Sequence, residues 1–430
     1  MKITVLCVFL ALFSLTTLSA QILTKGYLAA ANIDSVKLTS DLVNIMSEGI
    51  AAEAFPGANI LVAQDGQIVL HETYGHWTYD KVREVQKDDI YDYASVTKIT
   101  SALAAVMKLY GEGRFDLDAE LKDYLPNMRW SNKAKMTFRE MLAHQAQLKP
   151  GIVHWQRTLK KDGDFKARTF QRDSSTRFPI KITDDLWLHR HYQKKMMKAI
   201  KKSDLLEKEG YRYSGLLFYL LPQIIENITG EDYEAYLKRE IYQKIDATTI
   251  TFNPLQYFPI DRIVPTERDT FFRKLQVHGF VHDEGAGMMG GISANAGLFS
   301  TTEDLAKMAQ LYLNQGKYGD EQLIAPGALA VFTSYQYPNN RRGLGFDKPN
   351  LEKDGSHYIA ESASPMSFGH SGYTGTFVWI DPVYNLIVVF CSNRVYPDRS
   401  HRQLYELNIR PRLHQAIYDA LPEYLPVPTK

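Results

Sequence analysis

Asp65-Gly66 stands between two strand-like runs, 57–64 and 67–74, rich in Ile, Leu, Val and Thr. Asp-Gly between such runs is a strong hairpin signal, because both turn residues must take positive φ. A second hairpin is expected near the other end. There, 374–380 and 386–391 flank a turn through Asp381-Pro382-Val383-Tyr384-Asn385. An amphipathic helix is expected over 36–54, and helical signals follow His401, broken or restarted at Pro411. Strands at both ends with helical signals between them imply an α/β (α+β) fold. Its antiparallel sheet is built from both termini, 21–100 and 341–430, with a mostly helical domain, 101–340, inserted. No internal repeat or low-complexity linker interrupts the chain. The basic run 194–202 reads as a solvated helix face.

The first twenty residues read as a secretory signal peptide. Lys2 precedes an apolar run over 3–13, and small residues lead to Ala20, where cleavage is expected. The run is too short to span a bilayer, and 216–225, the other long apolar stretch, carries Pro222. The expected location is outside the cytoplasm, periplasmic or extracellular, without stable membrane insertion. With 50 Lys+Arg against 49 Asp+Glu, the chain lacks the basic excess of a nucleic-acid binder. Of its two cysteines, Cys7 lies in the leader, so Cys391 has no internal disulfide partner. Cysteine-pair zinc sites are excluded on the same count. His189 with His191, and His278 with His282-Asp283-Glu284, lack the helical H-E-x-x-H spacing of a metal site. No cofactor and no metal is expected.

Three separated places carry chemistry. At Tyr93-Ala-Ser95-Val-Thr-Lys98, serine and lysine are three apart at the start of a helix expected over 99–110, so they share a face. A serine hydroxyl needs a neighbouring base to become a nucleophile, and a helix start favours developing negative charge. At Tyr211-Arg-Tyr213-Ser214-Gly215, a tyrosine at a loop-to-helix junction can act as base if cations stabilise its phenolate. At Phe368-Gly-His370-Ser371-Gly372-Tyr373-Thr374-Gly375, glycines permit close backbone approach along one cleft wall. His370 brings a polar group able to carry charge, and a following backbone N–H can serve as an oxyanion donor. Taken singly, each has an ordinary structural explanation: a helix cap, an aromatic core residue, a glycine bulge.

Together the three motifs resemble the penicillin-recognising serine hydrolases. The nearer branch holds class C β-lactamases, D-amino-acid-specific peptidases and related esterases. The resemblance runs over roughly 35–420. It is strengthened by Phe55-Pro-Gly-Ala-Asn-Ile, Met141-Leu-Ala-His-Gln, Gln223-Ile-Ile-Glu-Asn-Ile-Thr-Gly230 and Gly297-Leu-Phe-Ser-Thr-Thr-Glu-Asp-Leu305. Val281-His-Asp-Glu284 and Arg341-Arg-Gly-Leu-Gly-Phe-Asp347 resemble a secreted subgroup common in Bacteroidota. Relatives there are sometimes fused to a β-N-acetylhexosaminidase-type glycosidase, which points to cell-wall fragments as substrates.

The resemblance implies that Ser95 is the acyl-forming nucleophile, Lys98 its proton relay and Tyr213 the general base. His370 stands where a Lys-Thr-Gly motif has lysine, and would position substrate or tune Tyr213. The backbone N–H groups of Ser95 and Tyr373 would form the oxyanion hole, and Gly215, Ser371 and Gly372 would border the substrate. Two departures matter. Gly215 stands where the Tyr-x-Asn motif has Asn, whose side chain contacts the substrate amide and the lysine. His370 replaces a permanent cation that a β-lactam carboxylate would meet. Both point away from β-lactamase action and towards an esterase or a D-peptidase acting on a small-molecule or peptide substrate. A third departure is Gln147, where relatives often carry glycine. The competing expectation is a catalytically weakened binder of the same fold, recognising peptidoglycan-like peptides or protein partners.

Overall fold

A computed structural model describes residues 21–28, 33–351 and 358–422. The expected leader, 1–20, lies outside them.

Six strands form the main sheet: β1 (Thr24–Lys25), β2 (Gly57–Gln64), β3 (Gln67–Gly75), β4 (Phe368–Ser371), β5 (Phe377–Asp381) and β6 (Leu386–Ser392), in the order β1-β3-β2-β6-β5-β4. Asp65 (φ 48°) and Gly66 (φ 74°) both turn left-handed, so the first hairpin closes where the dipeptide places it. β2 pairs antiparallel with β6, from Gln64 opposite Leu386 to Ala58 opposite Ser392, and this seam joins the two ends of the chain. The sheet departs from expectation at two points. The two-residue edge strand β1 runs parallel to β3. The second hairpin's first strand begins at Phe377, because Thr374 and Thr376 turn their hydroxyls to the carbonyls of Asp92 (2.7 Å) and Tyr93 (3.0 Å).

Side chains alternate across the central strands, so each strand feeds two cores. Ile60, Val62, Val388 and Phe390 pack beneath helix α1 (Ser35–Ala51) and the C-terminal helix α5 (Ile409–Ala420). Leu61, Ala63, Val389 and Cys391 face the interior of the helical region. Asp34 caps α1 by accepting from Lys37 N–H at 2.9 Å. Pro411 sits in the first turn of α5, where no intrahelical N–H bond is lost. The middle of the chain supplies α2 (Ala102–Gly111), α3 (Leu216–Thr229) and α4 (Thr302–Leu313). It also forms strands that expectation had as helix and loop. Phe170–Gln171, Ile180–Thr183 and Leu186–Leu188 make one small sheet, and in another Leu298–Ser300 lies between Thr251–Phe252 and Tyr91–Asp92, the latter from the segment before the insert. The basic run lies on helix Tyr192–Lys202, which buries Tyr192, Met196 and Ile200 and leaves Lys194, Lys195, Lys198 and Lys202 exposed. Among the described residues no helix is long and apolar enough to cross a membrane. Cys391 is a buried free thiol.

Candidate active site

Ser95 lies on a 3-10 turn, Ala94–Val96, directly after the strand Tyr91–Asp92. Ala94 is held at φ 44°, an uncommon value for a residue with a Cβ, and its N–H donates to Asp92 Oδ1 at 2.8 Å. The chain thus bends sharply before the serine and presents its hydroxyl outward. The helix expected over 99–110 is instead broken at Ser101 (φ −118°, ψ −92°). Phenols from other elements take the carbonyls freed there: Tyr312 donates to Ile99 O (2.5 Å) and Tyr242 to Thr100 O (2.9 Å).

Lys98 is 2% exposed. Its Nζ donates to Ser95 Oγ at 3.0 Å and to the carbonyl of Asn295 at 2.7 Å. The second contact follows from the small sheet, since Tyr93 N–H donates to Leu298 O at 2.9 Å and brings 295–298 alongside. Tyr213 Oη donates to Ser95 Oγ at 3.2 Å. Ser95 and Tyr213 keep an exposed edge while Lys98 and His370 are buried behind them.

Four bonds hold the tyrosine loop, one of them from Arg212 N–H to His144 O (2.9 Å). Ser214 Oγ donates to Lys149 O (2.6 Å), Ser214 N–H to His144 Nδ1 (3.2 Å) and Gly215 N–H to Pro150 O (3.0 Å). Burial pushes the Tyr213 phenol up, but the Lys98 ammonium, the bond to Ser95 and the Arg342 guanidinium outweigh it, and the phenol ends below its ordinary value. Burial without such neighbours drives Tyr91, Tyr93, Tyr219 and Tyr242 well above theirs.

His370 is on β4, 3% exposed, its ring centroid 6.1 Å from that of Tyr213. It does not carry the charge the sequence allowed. Burial first, then Arg342 and Lys98, hold it neutral, well below the usual histidine range. Ser371 is half-buried, and its carbonyl lies 2.8 Å from His370 Nδ1. Gly372 is buried against backbone: a Cβ there would sit 2.5 Å from Tyr93 O and 2.0 Å from Thr376 Oγ1. This close approach clamps the β4–β5 turn onto the serine segment. Tyr373, 49% exposed, follows it at the rim. At Gly215 a Cβ would meet Asn295 Cβ and Pro150 O only at 3.9 Å, so a larger side chain has room. Gln147 has φ 52°, a conformation that favours glycine, held here by its side-chain bond to Leu206 O (3.1 Å).

Asn295, His144 and Arg342 join the site beyond the residues the three motifs point to. His144 and Arg342 lie in motifs that mark the resemblance. Asn295 contributes a backbone carbonyl, for which a sequence has no signal. His282 Nε2 is 2.8 Å from Glu267, His278 Nε2 is 2.5 Å from Ile263 O, and His189 Nδ1 accepts from His191 N–H at 3.2 Å. Among the described residues no cluster of three or more His, Cys, Asp or Glu is placed to hold a metal ion.

The sequence profile of the family described as Beta-lactamase matches residues 42–410. A protein of Escherichia coli (strain K12) named "Putative D-alanyl-D-alanine carboxypeptidase" is 30% identical over 367 residues, covering 79% of each chain. A protein of the same name from Salmonella enteritidis PT4 is 28% identical over 424 residues, covering 92% of this chain and 91% of that one. Among solved structures, a class C beta-lactamase aligns with TM-score 0.64 at 15% identity, over 92% of this chain and 99% of the other. EstCE1, described as a hydrolase with promiscuous acyltransferase activity, aligns with TM-score 0.63 at 16% identity, over 88% and 99%. A penicillin-binding protein homologue from Caulobacter crescentus gives 0.61 at 16%, over 89% and 98%. The structural likenesses concern the fold.

Proposed function

The chain belongs to the beta-lactamase family of serine hydrolases, and on that premise we propose that it cleaves an ester or amide through an acyl-enzyme on Ser95. The carrying observation is that Ser95 Oγ lies within hydrogen-bonding distance of both Lys98 Nζ (3.0 Å) and Tyr213 Oη (3.2 Å). Tyr213, as phenolate, takes the serine proton while Oγ attacks the substrate carbonyl. Lys98 holds the phenolate and relays charge, itself anchored on Asn295 O. The tetrahedral oxyanion is received by the backbone N–H groups of Ser95 and Tyr373, each worth roughly 3–4 kcal/mol in the transition state. The protonated tyrosine then delivers its proton to the leaving group, and water repeats the sequence to release the acid.

Carboxylesterase or D-peptidase action on cell-wall-like peptides ranks above β-lactamase action. His370 is neutral and Arg342 is buried, so neither offers a β-lactam carboxylate the exposed cation it would meet. A cavity of ≈ 710 Å³ lies beside the tyrosine loop, lined by Tyr211, Tyr335, Tyr337, Asn340 and Arg341, with none of Ser95, Lys98, Tyr213 or His370 in its walls. The carboxypeptidase names of the relatives fit this class, and the leader expected over 1–20 would carry the action outside the cytoplasm. A pure binder would have no use for a serine, lysine and tyrosine in mutual contact.

A fluorophosphonate probe should add once to the intact protein, map to Ser95 and stop p-nitrophenyl butyrate turnover in step, with EDTA causing no loss. Turnover that survives full labelling would sink the proposal. Gly215→Asn should favour amide and β-lactam substrates over esters by about tenfold, since a missing polar contact is restored where a Cβ meets its neighbours only at 3.9 Å. An unchanged ratio, measured as relative kcat/KM, would show that the cleft is built around the glycine.

A further inference from the structure

Arg342 is 1% exposed, one of the largest side chains fully enclosed by the fold. A buried guanidinium is costly unless paired or put to use. It belongs to a segment zipped onto β4: Asp347 N–H donates to Gly369 O (2.8 Å), and Gly369 N–H donates back to Asp347 O (3.0 Å). This register sets Arg342 directly behind His370.

Arg342 pairs with Asp347, which also takes Arg341 at 2.9 Å and the Tyr358 hydroxyl. Two guanidiniums therefore share one carboxylate, and the cluster keeps a net charge of about +1 by simple charge counting. Arg342 Nη2 lies 3.1 Å from Gly345 O, 3.5 Å from His370 Nε2 and 3.3 Å from His144 Nε2. The two imidazoles meet it differently. His370 Nδ1 faces the Ser371 carbonyl, which can only accept, so Nδ1 carries the proton and Nε2 accepts from Arg342. His144 Nδ1 accepts from Ser214 N–H, so its Nε2 carries the proton and packs against the guanidinium without a bond. Burial and Arg342 keep both rings neutral. The Tyr213 ring stands 4.7 Å from the His144 ring and 5.6 Å from Arg342 Cζ.

We infer that Arg342 is a positioning residue for the Ser95 reaction: from behind His370 it supplies the permanent positive charge that a Lys-Thr-Gly lysine would bring, stabilising the Tyr213 phenolate and fixing His370 with Nε2 as acceptor. The inference rests on Tyr213 being the base. The charged and titratable groups facing Tyr213 are Lys98 beside Ser95, His144, its neighbour Tyr211, His370, and Arg342 backed by Arg341 and Asp347. Of these, Lys98, Arg341 and Arg342 are cations, and Asp347 is the anion. Arg342 is too enclosed to meet substrate.

The test is kcat/KM for p-nitrophenyl butyrate against pH, on the purified protein and its Arg342→Gln, Arg342→Lys and Asp347→Asn variants. The acid limb of that profile reports the base in the free enzyme. Arg342→Gln should move the limb up by about one pH unit, a tenfold loss on the acid side that narrows at high pH. Arg342→Lys should recover part of the shift. Asp347→Asn should move the limb the opposite way, because the guanidiniums lose their counter-charge. Structural damage would not produce shifts of opposite sign. An equal loss at every pH, or limbs moving together, would overturn the inference. If Arg342→Gln does not fold, the directions of the other two variants decide it. Activity that persists in Ser95→Ala would strike the catalytic reading itself. Activity that needs Ser95 and Tyr213 but shows an unmoved limb would strike only the role of Arg342.

Discussion

Ser95→Ala is expected to lower p-nitrophenyl butyrate turnover by roughly 10³- to 10⁶-fold, to the background of binding and oxyanion stabilisation. The change removes one oxygen from a half-buried turn, and the fold depends little on that atom. Its hydrogen bonds to Lys98 and Tyr213 are lost, but those two side chains retain their bonds or packing to Asn295 O and His144. Melting temperature should therefore stay close to that of the parent while the covalent pathway disappears. Paired measurements of Tm and kcat/KM check this. Substantial turnover in a well-folded variant would mean that another group, or no covalent step, carries the chemistry.

Tyr213→Phe should cost roughly 10²- to 10⁴-fold in kcat/KM, since general base and proton donor vanish together. Phenylalanine fills the same space beside His144 and His370, so the loss belongs to the hydroxyl and not to packing. The parent should show an acid limb below the ordinary tyrosine range, because the phenol is held down by Lys98, Ser95 and Arg342 against the opposing effect of burial. Activity rises with pH through that limb, as deprotonation creates the base. Stopped-flow traces of the variant should show acylation slowed along with turnover. A Phe variant with normal acylation would assign the base elsewhere.

Ser95 and Lys98 were legible together because a three-residue spacing at a helix start is a local relation, fixed by backbone geometry alone. Asp65-Gly66 was legible for the same reason: its left-handed turn is a property of two residues. The pairing of the chain ends followed from two recognisable hairpins, although the direction of Thr24–Lys25 did not, since two residues carry no pattern. The break at Ser101 was hidden because the phenols that stabilise it arrive from Tyr242 and Tyr312, far along the chain.

By itself, then, the sequence determined the two hairpins, the α/β class and the motifs that mark the family and its candidate residues. Only the tertiary structure decided their electrostatic state: His370 neutral, the fixed cation on Arg342, Lys98 anchored by the Asn295 carbonyl, and one phenol lowered while other buried phenols rise. Hydrogen-bonded turns depend on neighbours in the chain. A charge state depends on every dipole and ion within a few ångströms, and folding alone brings residues 95, 213, 295, 342 and 370 that close.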